Sequence, residues 1–348
     1  MAQPDLTPRV EALEAQMANM ENIHAKLGWH EQQVIQSLYG RPQDLLIYYG
    51  WPSGFNAHWD NEKVAQDMAR YGLVVLGAGL EDPTHGDHAN TQAIMTRVQA
   101  LNPACKVFGY VTVNQDLTSF QGKVDQWDAM GANGIFLDEA GYDYGKTRAE
   151  FNERVEYVHG RTTAKLAFAN AWNLDHVLGT VDDPNFPNSQ FNPSEDPSAL
   201  TNLDWALLES FAVNTMSYAN DYEDKAQWAA RAVQMLGLRA QFGVNMAGVA
   251  VIKDDDAAAQ DLFDFAFVAA LEASLDAAGS SDENYGSSSG KATHWQRQQV
   301  QDVIGLYSLN PSIQADANDG DVYLRFVQNA KLTLDFSAGE EASGITRF

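Results

Sequence analysis

From residue 44 onward, short apolar runs alternate with longer segments whose apolar positions recur every three or four residues. DLLIYYGWP (44–52), LVVLGAG (73–79), KVFGYVTV (106–113), GIFLDEA (134–140), KLAFANAWN (165–173), WALLESFAV (205–213), RAQFGVNMAG (239–248) and SLDAAGS (274–280) read as strands. Between them NEKVAQDMARYG (61–72), TQAIMTRVQALNP (91–103), the segment around Val124, Trp127 and Met130, TRAEFNERVEYVHG (147–160), EDKAQWAARAVQMLG (223–237) and AQDLFDFAFVAALEAS (259–274) read as helices, with HWQRQQVQDVIGL (294–306) as the last. Strands apolar along their length, alternating with helices stopped by glycine or proline, imply parallel βαβ units. Eight such strands in roughly 240 residues predict an α/β fold of the (β/α)8 TIM-barrel type rather than a doubly wound sheet. No G-x-G-x-x-G follows the first strand and no P-loop lysine motif occurs, which argues against a nucleotide-binding sheet.

Three stretches break this rhythm. In the first forty residues Leu6, Val10, Leu13, Met17, Met20, His24 and Leu27 alternate in steps of four and three, a heptad seam too short to be stable alone. A coiled-coil-like helix that joins copies of the chain is expected there, with a trimer as the expected homo-oligomer and His24 as a polar seam position. The stretch 174–204 is rich in Asn, Asp and Pro and is expected to replace a regular helix as a wall or lid over the site. VYLRFVQNAKLTLDF (322–336) reads as a β-hairpin turning near Gln328 and Asn329. The resulting division is a heptad helix over 1–40, a barrel over 41–306 and a C-terminal β extension over 307–348.

Charge narrows the possible partners. The 348 residues carry 22 Lys and Arg against 47 Asp and Glu, a formal net charge of −25. That balance repels nucleic acid and anionic lipid, and suits a neutral or cationic partner. No apolar run approaches the roughly 18 residues of a membrane span, and MAQPDLTPRVEALEAQ lacks the apolar core of a signal peptide. A soluble protein with no membrane insertion is expected. It is expected to be virion-associated or otherwise delivered outside the cell, or else cytoplasmic. Cys105 is the single cysteine, so no intramolecular disulfide forms.

In a barrel of this kind the active site lies at the C-terminal ends of the strands, so the strand ends are the residues to read. They supply Tyr49 and Trp51; Tyr110 and Asn114; Asp138 and Glu139, with Tyr142 beyond; Asn170 and Trp172; Glu209 and Asn214; and Asn245. Amides and acids hydrogen-bond sugar hydroxyls, while Trp and Tyr faces pack on sugar rings. Glycosidases use two carboxylates, one to protonate the leaving oxygen and one as nucleophile or base. In a regular strand Asp138 shares a face with Phe136 and Glu139 the other, so only one of the two acids faces the axis. Glu209 lies within a Trp–Ala–Leu run, where desolvation raises a carboxyl pKa and suits a general acid. The catalytic candidates are therefore Asp138, Glu139 and Glu209. His85 and His88 in DPTHGDHAN fit no zinc spacing, and KDDDAAAQ (253–260) lacks the glycine and spaced ligands of a calcium loop. No metal and no cofactor is expected.

GIFLDEA, preceded by the tryptophan-containing QWDAMGAN, resembles the G-I-F-[FL]-D-E signature of spherulin-4-like proteins. KVFGYVTV is similar to that family's V-x-G-Y-V strand, IYYGWP to its opening strand and ALLESF to its strand with a single glutamate. The match runs in order over roughly residues 44–250. The resemblance implies a barrel related to glycoside hydrolases that cleave α-1,4-linked galactosamine or N-acetylgalactosamine polymers. It also implies Asp138 as nucleophile, Glu209 as acid/base and Glu139 in support. The strand-one ending YYGWP and the loop LGAGLEDPTHGD differ from the family pattern, as does the heptad N-terminus. The expected function is an endo-glycosidase acting on a polysaccharide that contains amino sugars. The alternative is a non-catalytic carbohydrate- or receptor-binding module on the same fold.

Overall fold

The computed structural model describes residues 42–214, 221–222, 225–252, 259–282, 314–315, 322–327, 330–335 and 344–347. Strands β1 (Gln43–Tyr48), β2 (Leu73–Leu76), β3 (Lys106–Thr112), β4 (Gly134–Asp138), β5 (Leu166–Asn170) and β6 (Trp205–Glu209) are followed by a short antiparallel pair, β7 (Val213–Asn214) with β8 (Asp221–Tyr222). Then come β9 (Asn245–Ile252) and β10 (Ala277–Asp282). Leaving out β7 and β8, the eight strands run parallel in chain order and close, with β10 against β1. The predicted (β/α)8 barrel is the observed fold. Its helices are α1 (Asn61–Met68), α2 (His88–Leu101), α3 (Leu117–Met130), α4 (Arg148–His159), the one-turn α5 (Asn188–Phe191), α6 (Lys225–Phe242) and α7 (Ala259–Glu272).

Alternation along each strand divides the core in two. Leu45, Ile47, Val75, Phe108, Phe136, Phe168 and Leu207 fill the barrel, and their neighbours Leu46, Val74, Val107, Ile135, Ala167 and Leu208 face the helices. This explains why the strands are apolar throughout: both faces are covered. The helices begin and end where local chemistry dictates. Asp60 and Asp116 accept hydrogen bonds from the first free N–H groups of α1 and α3, and Thr147 with Glu150 forms a capping box on α4. Gly131, in the left-handed region at φ 88°, ends α3. Gly109 is needed for a different reason. The Trp127 indole lies flat on its backbone, and a Cβ there would sit 2.1 Å from Cδ2 of that ring.

The boundaries of the sixth helix and seventh barrel strand differ from expectation. Residues 239–242 continue α6, because Met235 and Leu238 extend its buried stripe, and Gly243 at φ 71° stops it. The strand therefore starts at Asn245 rather than 239, at the bottom of the barrel. The first strand stops at Tyr48, and Trp51 caps a 3₁₀ turn over Pro52–Ala57. The 174–204 stretch has only a 3₁₀ turn (Leu174–His176) and α5 as regular helix. It is held in place by Arg148, which is fully buried and donates to the carbonyls of Asp175, Gly179 and Asp196. Toward the C-terminus β12 (Val322–Val327) pairs antiparallel with β13 (Ala330–Asp335) across positions 328–329, and β11 (Gln314–Ala315) and β14 (Gly344–Arg347) flank them in one four-stranded sheet. Helix α7 contacts β13 and β14. The heptad seam of 1–40 and the helix expected over 294–306 lie outside the described residues.

Two measurements probe this frame. Gly109→Ala drives a methyl group into Trp127 and is expected to lower unfolding free energy by about 3 kcal/mol, the upper end for overpacking, in urea titration. At the barrel bottom the hydrogen bond from His159 to the fully buried Asp204 holds the imidazole above its ordinary pKa. The resulting stability is present in full below about pH 6.5 and is lost as pH rises through the folded-state value. The stability gap between wild type and His159→Gln should therefore be widest near pH 6 and shrink by about pH 9.

Candidate active site

Asp138 is the last residue of β4 and lies on the same face as Phe136, which is inside the barrel, so its carboxylate points along the axis at the C-terminal mouth. Asn170 ends β5 and Glu209 ends β6, each on the axis-facing alternation of its strand. Three neighbouring strands thus finish in axis-facing polar groups, and these groups are bonded to one another. Asn170 Nδ2 donates to Asp138 Oδ1 at 2.8 Å and to Glu209 Oε1 at 2.7 Å. The two protons of a planar amide diverge by about 120°, which places the two carboxylate oxygens about 5 Å apart. Tyr110, axis-facing on β3, donates its phenol proton to Asp138 Oδ2 at 2.5 Å. Burial first, and then the Asp138 charge, push the Tyr110 pKa well up, so the phenol stays a donor. Burial likewise lifts the Glu209 carboxyl above the ordinary range; the Asn170 bond opposes this and the Asp138 charge reinforces it.

The backbone resolves which acid faces the axis. Glu139 has φ 56°, so the strand breaks there and the side chain swings to meet Thr112, whose hydroxyl donates to Glu139 Oε2 at 2.6 Å. Thr112 in turn accepts from the Asn114 N–H at 3.0 Å. Asp138 holds the axis and Glu139 the rim on the β3 side. The end of β6 is bent in the same way, with Ser210 at φ 52° and Ala212 at φ 67°. Left-handed conformations at non-glycine residues persist where surroundings over-determine them, and both strands that deliver a candidate acid carry one immediately after it. Arg231 of α6 donates to the carbonyls of Glu209 and Ser210, and its guanidinium lies over the Trp172 ring, 5.3 Å from the centroid.

Rings surround these acids. Trp172, just past β5, is 50% exposed, and Trp51, past β1, is 48% exposed. In an eight-strand ring β1 and β5 are opposite, so the two tryptophans follow opposite strands, and the Trp51 indole meets the His85 ring at 5.4 Å. Tyr49 meets Tyr110 edge-on at 5.5 Å, and Tyr144 is exposed beside the β4 end. Asn114 is exposed past β3. Two predicted contact residues are placed elsewhere. Tyr142 is buried, stacked between His176 at 4.5 Å and Phe191 at 5.1 Å, where it packs the 174–204 wall against the β4 loop. Asn245 sits at the start of β9 and donates to the Asp204 carbonyl, so it belongs to the barrel bottom. Asn214 lies in β7, past the end of β6; its side chain is outside the described residues. The polar groups of the DPTHGDHAN loop hold the loop to itself and to its neighbours: His88 Nδ1 bonds the Leu80 carbonyl, His85 Nδ1 accepts from the Asp87 N–H, and Asp87 accepts from the Ser53 N–H.

Thr112 and Arg231 were not among the predicted site residues. Thr112 was within reach, since it continues the alternation of Phe108 and Tyr110. Arg231 sits mid-helix and carries no local signal.

No protein-family model matches the chain, and neither does any curated protein. Among solved structures it is similar to Eubacterium rectale Amy13B, with TM-score 0.48 and 7% identity over 84% of this chain and 85% of that one. It is similar too to a GH5-4 broad specificity endoglucanase from Ruminococcus flavefaciens, with TM-score 0.42 and 9% identity over 72% and 86%. A third is the carboxyl transferase domain of Rhizobium etli pyruvate carboxylase, with TM-score 0.41 and 12% identity over 72% and 44%. The likeness is one of barrel fold.

The strain at Glu139 can be measured. Glu139→Gly and Glu139→Ala both remove the bond to Thr112, and only glycine relieves the positive φ. The glycine variant should be the more stable of the two by about 1 kcal/mol in chemical denaturation.

Proposed function

We propose that the protein is a retaining endo-glycosidase acting on a polysaccharide that contains amino sugars. The observation that carries this reading is the shared Asn170 amide, which bonds an axis-facing aspartate and a half-buried glutamate through oxygens about 5 Å apart, with burial lifting the Glu209 carboxyl above the ordinary range. Retaining enzymes place their carboxyls about 5–5.5 Å apart, whereas inverting ones leave about 6.5–9.5 Å for a water. In this mechanism Glu209 gives its proton to the glycosidic oxygen as the Asp138 carboxylate attacks the anomeric carbon. The C–O bond to the leaving sugar breaks and a glycosyl ester on Asp138 forms. Glu209, now a carboxylate, takes a proton from water, which hydrolyses the ester and releases a product of unchanged anomeric configuration. Tyr110 steadies Asp138, and Glu139 with Thr112 lines the rim where substituents of the bound sugar would lie. Trp172 and Trp51, which follow opposite strands, provide apolar faces for sugar rings.

The amino-sugar assignment rests on the resemblance of GIFLDEA, KVFGYVTV and ALLESF to spherulin-4-like proteins, and a surface of net charge −25 accords with a cationic polymer. Homo-oligomerisation through 1–40, and with it association with a virion spike, belongs to the same proposal on the strength of the heptad seam.

Reducing-end release from a polysaccharide panel that includes α-1,4-linked galactosamine and N-acetylgalactosamine polymers tests the reading. Wild type should cleave a member of the panel, and Asp138→Asn and Glu209→Gln should each lower kcat by about 10³-fold or more. The first-formed product should keep its anomeric configuration by NMR. Binding without release by wild type would leave a carbohydrate-binding module in place of an enzyme.

A further inference from the structure

Helix α6 reaches the site from outside the barrel at two points one turn apart. At the first, the Arg231 guanidinium donates to the carbonyls of Glu209 and Ser210, the latter at 3.1 Å. Those carbonyls belong to the bend that follows β6, where Ser210 and Ala212 adopt positive φ and the Phe211 N–H crosses to the Val249 carbonyl at 3.0 Å. The same guanidinium lies over the ring of the half-exposed Trp172, a cation–π arrangement. At the second point Gln234 Nε2 donates to Asn173 Oδ1 at 2.9 Å and to Asp175 Oδ2 at 2.7 Å. Residues three apart share a helix face. One face of α6 therefore grips the loop after β5, which carries Trp172, and the bend after β6, which carries Glu209.

We propose that Arg231 is a positioning residue that, supported by Gln234, couples a sugar stacked on Trp172 to the placement of the Glu209 carboxyl. This rests on the glycosidase reading above. A ring seated on the outer face of Trp172 meets an indole whose inner face is held by the cation, and the same cation holds the carbonyl of the acid. A shift of the stacked ring is thereby transmitted to the group that protonates the glycosidic oxygen. Glu209 is faced by Asp138 from β4, by Asn170 from β5, by Asp143 and Tyr144 from the β4 loop and by Arg231 from α6. Arg231 is the cation in that set, so its removal takes away an influence that lowers the Glu209 pKa.

The test uses the full chain and an α-1,4-linked galactosamine polymer, comparing wild type with Arg231→Met, Arg231→Lys, Trp172→Ala and the Arg231→Met/Trp172→Ala double variant. Arg231→Met should lower kcat about tenfold or more while KM stays within about twofold, as expected when a reacting group is misplaced. The basic limb of its kcat–pH profile should move upward, because the acid keeps its proton to higher pH. Arg231→Lys should recover the wild-type pH limb and part of kcat. The double variant should be no slower than the slower single, because both substitutions break one linkage. Multiplying rate losses, a change confined to KM, or an unmoved pH limb would overturn the coupling. Amide exchange at 209–213, followed by mass spectrometry, does not depend on turnover. Faster exchange in both Arg231→Met and Trp172→Ala supports the coupling through Arg231 even if wild type releases no reducing ends, an outcome that would sink hydrolysis alone. Exchange unchanged in both variants sinks the coupling.

Discussion

An aspartate and a glutamate from strands that flank β5 meet in a partly desolvated barrel mouth, and the structure keeps them together by setting the Asn170 amide between them. Each amide proton is given to one acid, so neither carboxylate can turn away without leaving a donor unmet in a half-buried place. Strand geometry makes this possible. Neighbouring strands lie about 4.8 Å apart, so the middle one of three can present a short side chain to both sides. Tyr110 completes the arrangement from β3 by giving its proton to the second oxygen of Asp138. The surroundings of the two acids differ. Asp138 has two strong donors, whereas burial and the Asp138 charge lift the Glu209 carboxyl above the ordinary range.

The two ends of the barrel are built differently. At the mouth Glu139, Ser210 and Ala212 occupy the left-handed region, and a half-exposed tryptophan is held over an arginine. At the bottom, Asp204 accepts from the N–H groups of Ala167 and Thr201 as well as from His159, and joins β5, β6 and α4. Asp276 lies at the foot of β10, where it accepts from Arg239 and from the Met246 N–H; burial pushes its pKa up to about 6. Acids at the bottom thus tie neighbouring elements together, and the positive-φ residues lie at the mouth. The insertion after β5 belongs to the top. It is fastened by the buried Arg148 and by the stack of Tyr142, His176 and Phe191, in which the His176 Nδ1 accepts from the Tyr142 N–H and Nε2 meets Asp183.

Much of this was legible from residue order, and the line between what was and what was not is a physical one. Period and punctuation along the chain determine the number, order and direction of the barrel strands, because burying both faces of a parallel strand demands unbroken apolar runs. Alternation alone puts Asp138 beside Phe136 on one face. The apolar run before Glu209 foretells its desolvation. Contacts between residues dozens of positions apart are another matter. That Asn170 bonds both acids, that Glu139 turns back to Thr112 through a positive φ, and that Arg231 reaches the β6 bend from a distant helix all depend on strand register and helix placement. The same register lowered Asn245 to the barrel bottom, because Gly243 ended the preceding helix later than the apolar pattern implied. It buried Tyr142 in a ring stack that no local pattern announces. The sequence by itself determined which chemistry each strand carries to the mouth; only the tertiary structure decided which groups touch there, because hydrogen bonds are set by ångström distances that a periodic pattern does not specify.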